Sequence, residues 1–243
     1  MPQLNVRSLS KQFGGIVALQ DVSFGVNEGE ILGLIGPNGA GKTTMFNCIS
    51  RFYDPDGGSI SFDGIDLLRT PTHKVASAGI ARTFQNVLLF KGMTVLENVM
   101  VGQHSKPGGN FLSQLLPLPR AQREERELRR SPMELLEWLG LADLRDLPAV
   151  SLPFGTQKRV EMARALAANP KLILLDEPAS GLSHEELQGV AQVIQAIRHD
   201  LNVSILLVEH NMDLVMSISD RVCVLNFGRK LADGTPDEVR SNP

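Results

Sequence analysis

Two hydrophobic periodicities run through the chain. Leu4–Leu9 and Val17–Val26 alternate apolar and polar positions, the period of half-buried strands, and Asn27-Glu28-Gly29-Glu30 turns the chain into the next segment. Ile31–Ile35, Leu172–Leu175 and Val203–Val208 are continuous apolar runs, as expected of strands covered on both faces. Between them Lys42–Ile49, Gln157–Ala168 and His184–Ile197 carry helical spacing. Turns at Asp54-Pro55-Asp56-Gly57-Gly58 and Asp63-Gly64 bracket a further strand, Ser59–Phe62, and Ile80-Ala81-Arg82-Thr83-Phe84 is strand-like. Val222–Leu225 and Arg229–Ala232 form a closing strand pair, and a short helix follows, capped by Thr235 with Pro236 in its first turn. Strands alternating with helices predict an α/β fold on a mostly parallel sheet, with an antiparallel β element at its edge.

From Asn86 to Ala149 the pattern turns helical, with Val95–Val101 and Arg120–Leu139 as helices and breaks such as Lys106-Pro107-Gly108-Gly109. This predicts a helical subdomain, bounded at 86–157, inserted into a core made of residues 1–85 and 158–243. Within it Arg120, Arg123, Arg126, Arg129 and Arg130 are interleaved with Glu124, Glu125 and Glu127, the mixed signs of a solvated helix face rather than a nucleic-acid patch.

The 243 residues, 42% of them hydrophobic, allow one large domain with a sizeable core. A net charge of −3 supplies no global field for nucleic acid or anionic lipid. No apolar run approaches the ~18 residues of a membrane span, and Met1–Ser10 alternates rather than forming a secretory signal, so a cytoplasmic location is expected. Any membrane role must then pass through a partner. Cys48 and Cys223 lack metal-ligand spacing and read as small core residues.

The chemistry begins after the strand Ile31–Ile35. Gly36-Pro37-Asn38-Gly39-Ala40-Gly41-Lys42-Thr43, followed by Thr44, fits G-x-x-x-x-G-K-[ST], a loop whose backbone N–H groups cradle phosphates at a helix N-terminus. Lys42 would reach the β- and γ-phosphates of a nucleoside triphosphate, and Thr43 would place its hydroxyl on Mg²⁺. Leu172–Leu175 ends in Asp176-Glu177-Pro178, where parallel sheets place active groups. Asp176 suits Mg²⁺, and Glu177 the proton of an attacking water. His210 follows the neighbouring strand, within reach of a γ-phosphate, and Gln85 offers an amide oxygen to Mg²⁺ or to that water.

In their order along the chain, the phosphate loop, Thr83-Phe84-Gln85-Asn86, Leu152-Pro153-Phe154-Gly155-Thr156-Gln157, Leu172–Pro178, Ser180-Gly181-Leu182 and His210 resemble ATP-binding-cassette (ABC) ATPases over essentially the whole sequence. The resemblance implies a P-loop NTPase (RecA-like) core, bound ATP and Mg²⁺, and a head-to-tail dimer. In that dimer Pro153, Phe154, Gly155 and Thr156 of one cassette would face the nucleotide of the other. It also implies that Phe13 stacks on adenine and that integral membrane permease subunits are partners, with no nucleic-acid partner. Gly79–Asn86, the insertion after His104 and Val208–Met216 resemble the ATPase subunit of branched-chain amino acid importers. Cassettes for urea and amide uptake or lipopolysaccharide export share much of this pattern, and a weakly hydrolysing regulatory cassette is the other alternative.

Three departures from the family pattern stand out. Pro153 and Thr156 replace the Ser and Gln of L-S-G-G-Q, removing a hydroxyl contact to the opposing phosphate, so a weakened trans contact is expected. Ser183-His184 stands where Asp or Asn and then Pro are common, which bears on communication between the two sites. The sequence stops at Ser241-Asn242-Pro243, where this branch usually continues into a further short helix, as a shortened chain would.

Overall fold

The computed structural model describes residues 2–85, 87–103 and 131–241. They divide into two compact units, Met1–Gln85 with Lys171–Pro243, and Asn86–Pro170. The strands of the first unit are β1 (Leu4–Phe13), β2 (Ile16–Val26), β3 (Ile31–Ile35), β4 (Gly57–Phe62), β5 (Ile65–Asp66), β6 (Ile80–Arg82), β7 (Leu172–Asp176), β8 (Ser204–Val208), β9 (Arg221–Asn226) and β10 (Arg229–Gly234). They form a four-stranded antiparallel sheet, β2-β1-β4-β5, and a six-stranded sheet, β10-β9-β3-β8-β7-β6. Every pair in the larger sheet is parallel except β9 with the edge strand β10.

Helices α1 (Lys42–Ile49), α5 (His184–Leu201), α6 (Met212–Ile218) and α7 (Pro236–Ser241) belong to this unit. β3, β7 and β8 are buried at every position, which is why they read as unbroken apolar runs. Leu32, Leu34, Leu172, Leu174 and Leu206 share one core with Met45, Phe46 and Ile49 of α1 and with Leu4, Leu9 and Phe62 of the antiparallel sheet. Cys48 and Cys223 are free thiols within it, and burial pushes them up to about 11 and about 12 respectively.

In the second unit α2 (Val95–Gly102) and α3 (Pro132–Trp138) both start at capping boxes, Thr94 with Glu97 and Ser131 with Glu134. Asn98, fully buried in α2, accepts the Phe90 N–H at 2.8 Å and donates to the Thr94 carbonyl at 2.9 Å, which fixes the entry to the helix. The third helix is α4 (Phe154–Leu166).

Several boundaries differ from the pattern-based expectation, each for a local reason. β1 continues past Leu9 to Phe13 because its register shifts at three points, and the shifts hide the alternation. The periodicity predicts α4 from Gln157, whereas the helix starts at Phe154, directly after Pro153, whose φ of −53° leads the chain into the first turn. The predicted limit of the helical subdomain at 157 therefore cuts through α4, and the contacts place the end of that unit at Pro170. α5 runs four residues beyond Ile197 and ends where Asn202 adopts a left-handed φ of 53°. α6 has no counterpart in the pattern; it is seven residues long and held by the Asn211 side chain, which accepts the Leu214 N–H at 2.9 Å. Of the predicted helix Arg120–Leu139, the charged stretch Arg120–Arg130 and the insertion after His104 lie outside the described residues. No helix among the described residues is long and apolar enough to cross a membrane.

Leu174 is fully buried in a strand paired on both sides. Leu174→Ala is expected to lower unfolding free energy in urea by about 2–5 kcal/mol. A loss under ~1 kcal/mol would mean that the space collapses around the smaller side chain.

Candidate functional site

The parallel register sets the site. Leu34 pairs with Val208 and Val208 with Asp176, so β3, β8 and β7 end level with one another. The loop leaving β3, the carboxylates leaving β7 and the imidazole leaving β8 consequently meet at one sheet edge, where open α/β sheets carry their ligands.

Gly36 to Gly41 curl in front of α1. Gly36 has φ +150°, and a Cβ there would lie 2.1 Å from the Leu225 carbonyl oxygen; Gly41, at φ +103°, would meet the Ala18 carbonyl at 2.5 Å. Both positions require glycine on conformation and on space. The loop's N–H groups and the α1 N-terminus form a concave, electropositive cradle. Lys42 is buried in it and donates to the carbonyls of Gly36 at 2.7 Å and Pro37 at 3.0 Å. Burial pulls its ammonium below the usual lysine range, while the carboxylates of Glu177 and Asp176 act the other way.

A cavity of about 290 Å³ opens on this cradle, lined by Asn38 to Thr44, by Glu177 and His210, and by Ile16, Val17 and Ala18 of β2. Glu177 adopts φ +49°, and its N–H donates to the Val208 carbonyl at 2.8 Å. Its carboxylate accepts Gln85 Nε2 at 2.8 Å, while its other oxygen lies 2.8 Å from His210 Nε2. The amide oxygen of Gln85 is left as that side chain's acceptor. Such a carboxylate, flanked by two polar side chains at the mouth of an anion cradle, can accept a proton from a water held there.

Asp176 lies deeper, and what holds it is absent from the motif reading. Arg82 of β6 pairs with it at 2.9 Å, both side chains being less than a tenth exposed. The same guanidinium donates to Asn47 at 2.8 Å and sits 5.2–5.8 Å from the ring centres of Phe46, Phe52 and Phe84. Its Nε makes no hydrogen bond. The one sequence signal for Arg82 is a cation in a short strand whose neighbours are apolar.

Phe13 stands at the end of β1, paired in register with Ile16 across the β1–β2 turn, and its ring meets Tyr53 edge-on at 5.1 Å. It does not itself line the cavity, whereas Ile16 and Val17 do, both exposed although apolar. Pro153, Phe154, Gly155 and Thr156 belong to the helical unit, at the start of α4. Pro153 is the N-cap residue there and provides no side-chain cap, so the first-turn N–H groups are not satisfied from that position.

Among the described residues no group of three His, Cys, Asp or Glu side chains could enclose a metal ion by itself. A hydroxyl (Thr43), one carboxylate (Asp176) and an amide oxygen (Gln85) are hard oxygen donors of the kind Mg²⁺ takes together with waters and substrate phosphates. The donor set fits that ion.

Replacing Arg82 by Met leaves Asp176 buried without its cation. Arg82→Met is therefore expected to lower unfolding free energy by about 3–5 kcal/mol, measured by urea unfolding monitored at Trp138. A change below ~1 kcal/mol would show that water reaches the carboxylate.

Comparison with known proteins agrees with this geometry. The ABC transporter family pattern matches residues 19–180. The chain is 46% identical over 242 residues to the high-affinity branched-chain amino acid transport ATP-binding protein BraF of Pseudomonas aeruginosa, covering 100% of this chain and 95% of that protein. It is 44% identical to the LivG protein of the same description in Salmonella typhimurium, with the same coverage. A solved ATP-binding cassette of an ABC transporter, in its ADP conformation, superposes with a TM-score of 0.84 at 33% identity, covering 100% of this chain and 96% of that one. With a phosphate loop, an Asp-Glu strand end and a His at the next strand, over a match that spans its whole length, this chain belongs to the ABC transporter family as an ATP-binding ATPase subunit.

Proposed function

We propose that this chain hydrolyses ATP to drive an importer of branched-chain amino acids or related amino acids and amides. The observation that carries the catalytic part is Glu177, set at the mouth of the phosphate-loop cavity between Gln85 and His210. The likeness to BraF and LivG supports the class of solute, which permease subunits and an external binding protein would select. A cytoplasmic cassette held peripherally at the membrane by those permease subunits fits a chain whose described helices cannot cross it.

The loop N–H groups of Gly39 to Thr43 and the Lys42 ammonium bind the β- and γ-phosphates, with Thr44 at the inner end of the cradle. The base rests against the Ile16–Val17 face, beside Phe13. Water attacks the γ-phosphorus in line: its oxygen forms the new P–O bond, Glu177 takes its proton, and the bond to the β-phosphate oxygen breaks to leave ADP. His210 donates to the γ-phosphate and holds Glu177 in place, while Gln85 holds the other side of that carboxylate. Lys42 neutralises charge on the departing oxygen, so positioning and charge carry the reaction without a covalent intermediate. Thr43, Asp176 and Gln85 would hold Mg²⁺, which when bound supplies neutralisation of the β- and γ-oxygens.

Two cassettes pair head to tail, either two copies or one copy with a related chain. In the pair the α4 N-terminus of one cassette meets the γ-phosphate bound by the other. Gly155 and the open first-turn N–H groups supply that contact through backbone donors, and Pro153 and Thr156 make it weaker than a serine hydroxyl would. ATP closes the pair, hydrolysis opens it, and the helical unit passes the movement to the permease.

Glu177→Gln keeps the shape and loses the base. It is expected to bind ATP like the wild type, dimerise with it by light scattering, and hydrolyse it about 10²–10⁴-fold more slowly. Turnover within a few-fold of wild type would remove Glu177 from the mechanism.

A further inference from the structure

Glu209, the last residue before His210, is 3% exposed, and none of the roles above uses it. Its carboxylate reaches across to the neighbouring strand end. Oε1 accepts the Ala179 N–H at 2.6 Å, two residues after Glu177, and Oε2 accepts the His210 N–H at 2.9 Å and the Asn211 N–H at 3.4 Å. One buried carboxylate thus binds the loop that carries Glu177 and the loop that carries His210.

Both loops need such a tie. Glu177 sits at a left-handed φ of +49°, which for a side-chain-bearing residue persists only where its surroundings over-determine it. The turn after it is closed by Ser180 N–H to the Glu177 carbonyl and Leu182 N–H to the Ala179 carbonyl. This turn leads to the Ser183 cap of α5. On the other side Asn211 caps α6 with its side chain, so holding its N–H also holds the start of that helix. The Ala179 and His210 amides are the points at which each loop leaves the sheet, and Glu209 fixes them to one rigid group. A charged acceptor suits this task, because hydrogen bonds to a carboxylate are shorter and stronger than neutral ones and a buried acceptor without donors is costly.

We propose that Glu209 is a positioning residue for ATP hydrolysis: by clamping the Ala179 and His210 amides it keeps Glu177 and His210 at the 2.8 Å separation at which they act together. This rests on Glu177 and His210 having the roles given above. Glu209→Gln retains the length of the side chain but turns an NH₂ group toward backbone donors, so one side of the clamp opens. Glu209→Asp retains the charge but is one methylene too short to span both loops.

The test uses the full chain and ATP. For Glu209→Gln, kcat is expected to fall about 10- to 100-fold with KM for ATP within about twofold of wild type, since misplacing catalytic groups slows chemistry without weakening phosphate binding. Peptides containing Ala179 and His210 are expected to exchange amide hydrogens faster together, without acceleration across β3 or β8. In a His210→Ala background the further effect of Glu209→Gln on kcat should shrink to under about threefold, whereas a purely structural loss would repeat in full. Glu209→Asp should show the same split between kcat and KM to a smaller degree, and it stands in if the Gln variant does not fold. Wild-type kcat in both variants, or additive effects with His210→Ala, overturns the clamp while leaving the hydrolysis reading intact. If Glu177→Gln leaves turnover unchanged, the hydrolysis reading itself fails and this inference falls with it.

Discussion

The site depends on the register of three parallel strands. Leu34, Val208 and Asp176 lie side by side across β3, β8 and β7, and the residues beyond them supply the phosphate loop, His210 and Glu177. All fifteen positions of these strands are buried, so a slip of any strand would displace its apolar side chains from well-packed surroundings on both faces. Packing that stabilises the sheet therefore also aligns the chemistry. No side chain in the site has to be placed by a flexible loop alone.

Around that alignment, charge is handled by pairing at depth and by hydrogen bonds at the mouth. Asp176 is balanced by Arg82, which is itself enclosed by three phenylalanines and anchored on Asn47 of α1. Since α1 is the helix that the phosphate loop opens, the guanidinium joins the Asp176 strand end to the helix behind the loop. Glu209 has no cation of this kind in its hydrogen bonding and is held by backbone amides. Glu177, further out, is flanked by Gln85 and His210, neighbours that leave it able to take a proton. Three carboxylates within two neighbouring strand ends thus have three environments, and the environment separates their tasks.

The helical unit follows a different logic. Its helices begin at side-chain caps, Thr94 with Glu97 and Ser131 with Glu134, and Asn98 ties α2 to the Phe90 backbone. α4 is the exception: Pro153 sets its start without capping it, which leaves amide donors at the helix end. The replacement of serine by proline thus changes the kind of donor at this end and keeps the helix start itself. A helix N-terminus can meet an anion through its backbone alone.

Much of this was legible in the amino-acid order. Unbroken apolar runs marked β3, β7 and β8, because strands covered on both faces tolerate nothing else, and Gly36 to Thr43 marked the cradle, because the loop geometry excludes side chains at Gly36 and Gly41. Local rules gave less where the backbone departs from regularity: the register shifts of β1 masked its length, and Pro153 began α4 three residues before the apolar periodicity does. The partners of Asp176 and Glu209 could not be read locally at all. Arg82 lies 94 residues from Asp176 and Ala179 lies 30 from Glu209. Such contacts are created when the parallel sheet sets separate stretches of chain edge to edge. The sequence by itself determined which groups are present and which strand ends carry them, since those follow from composition and period. Tertiary structure decided which charge answers which, because burial makes a carboxylate seek donors wherever the fold has brought them.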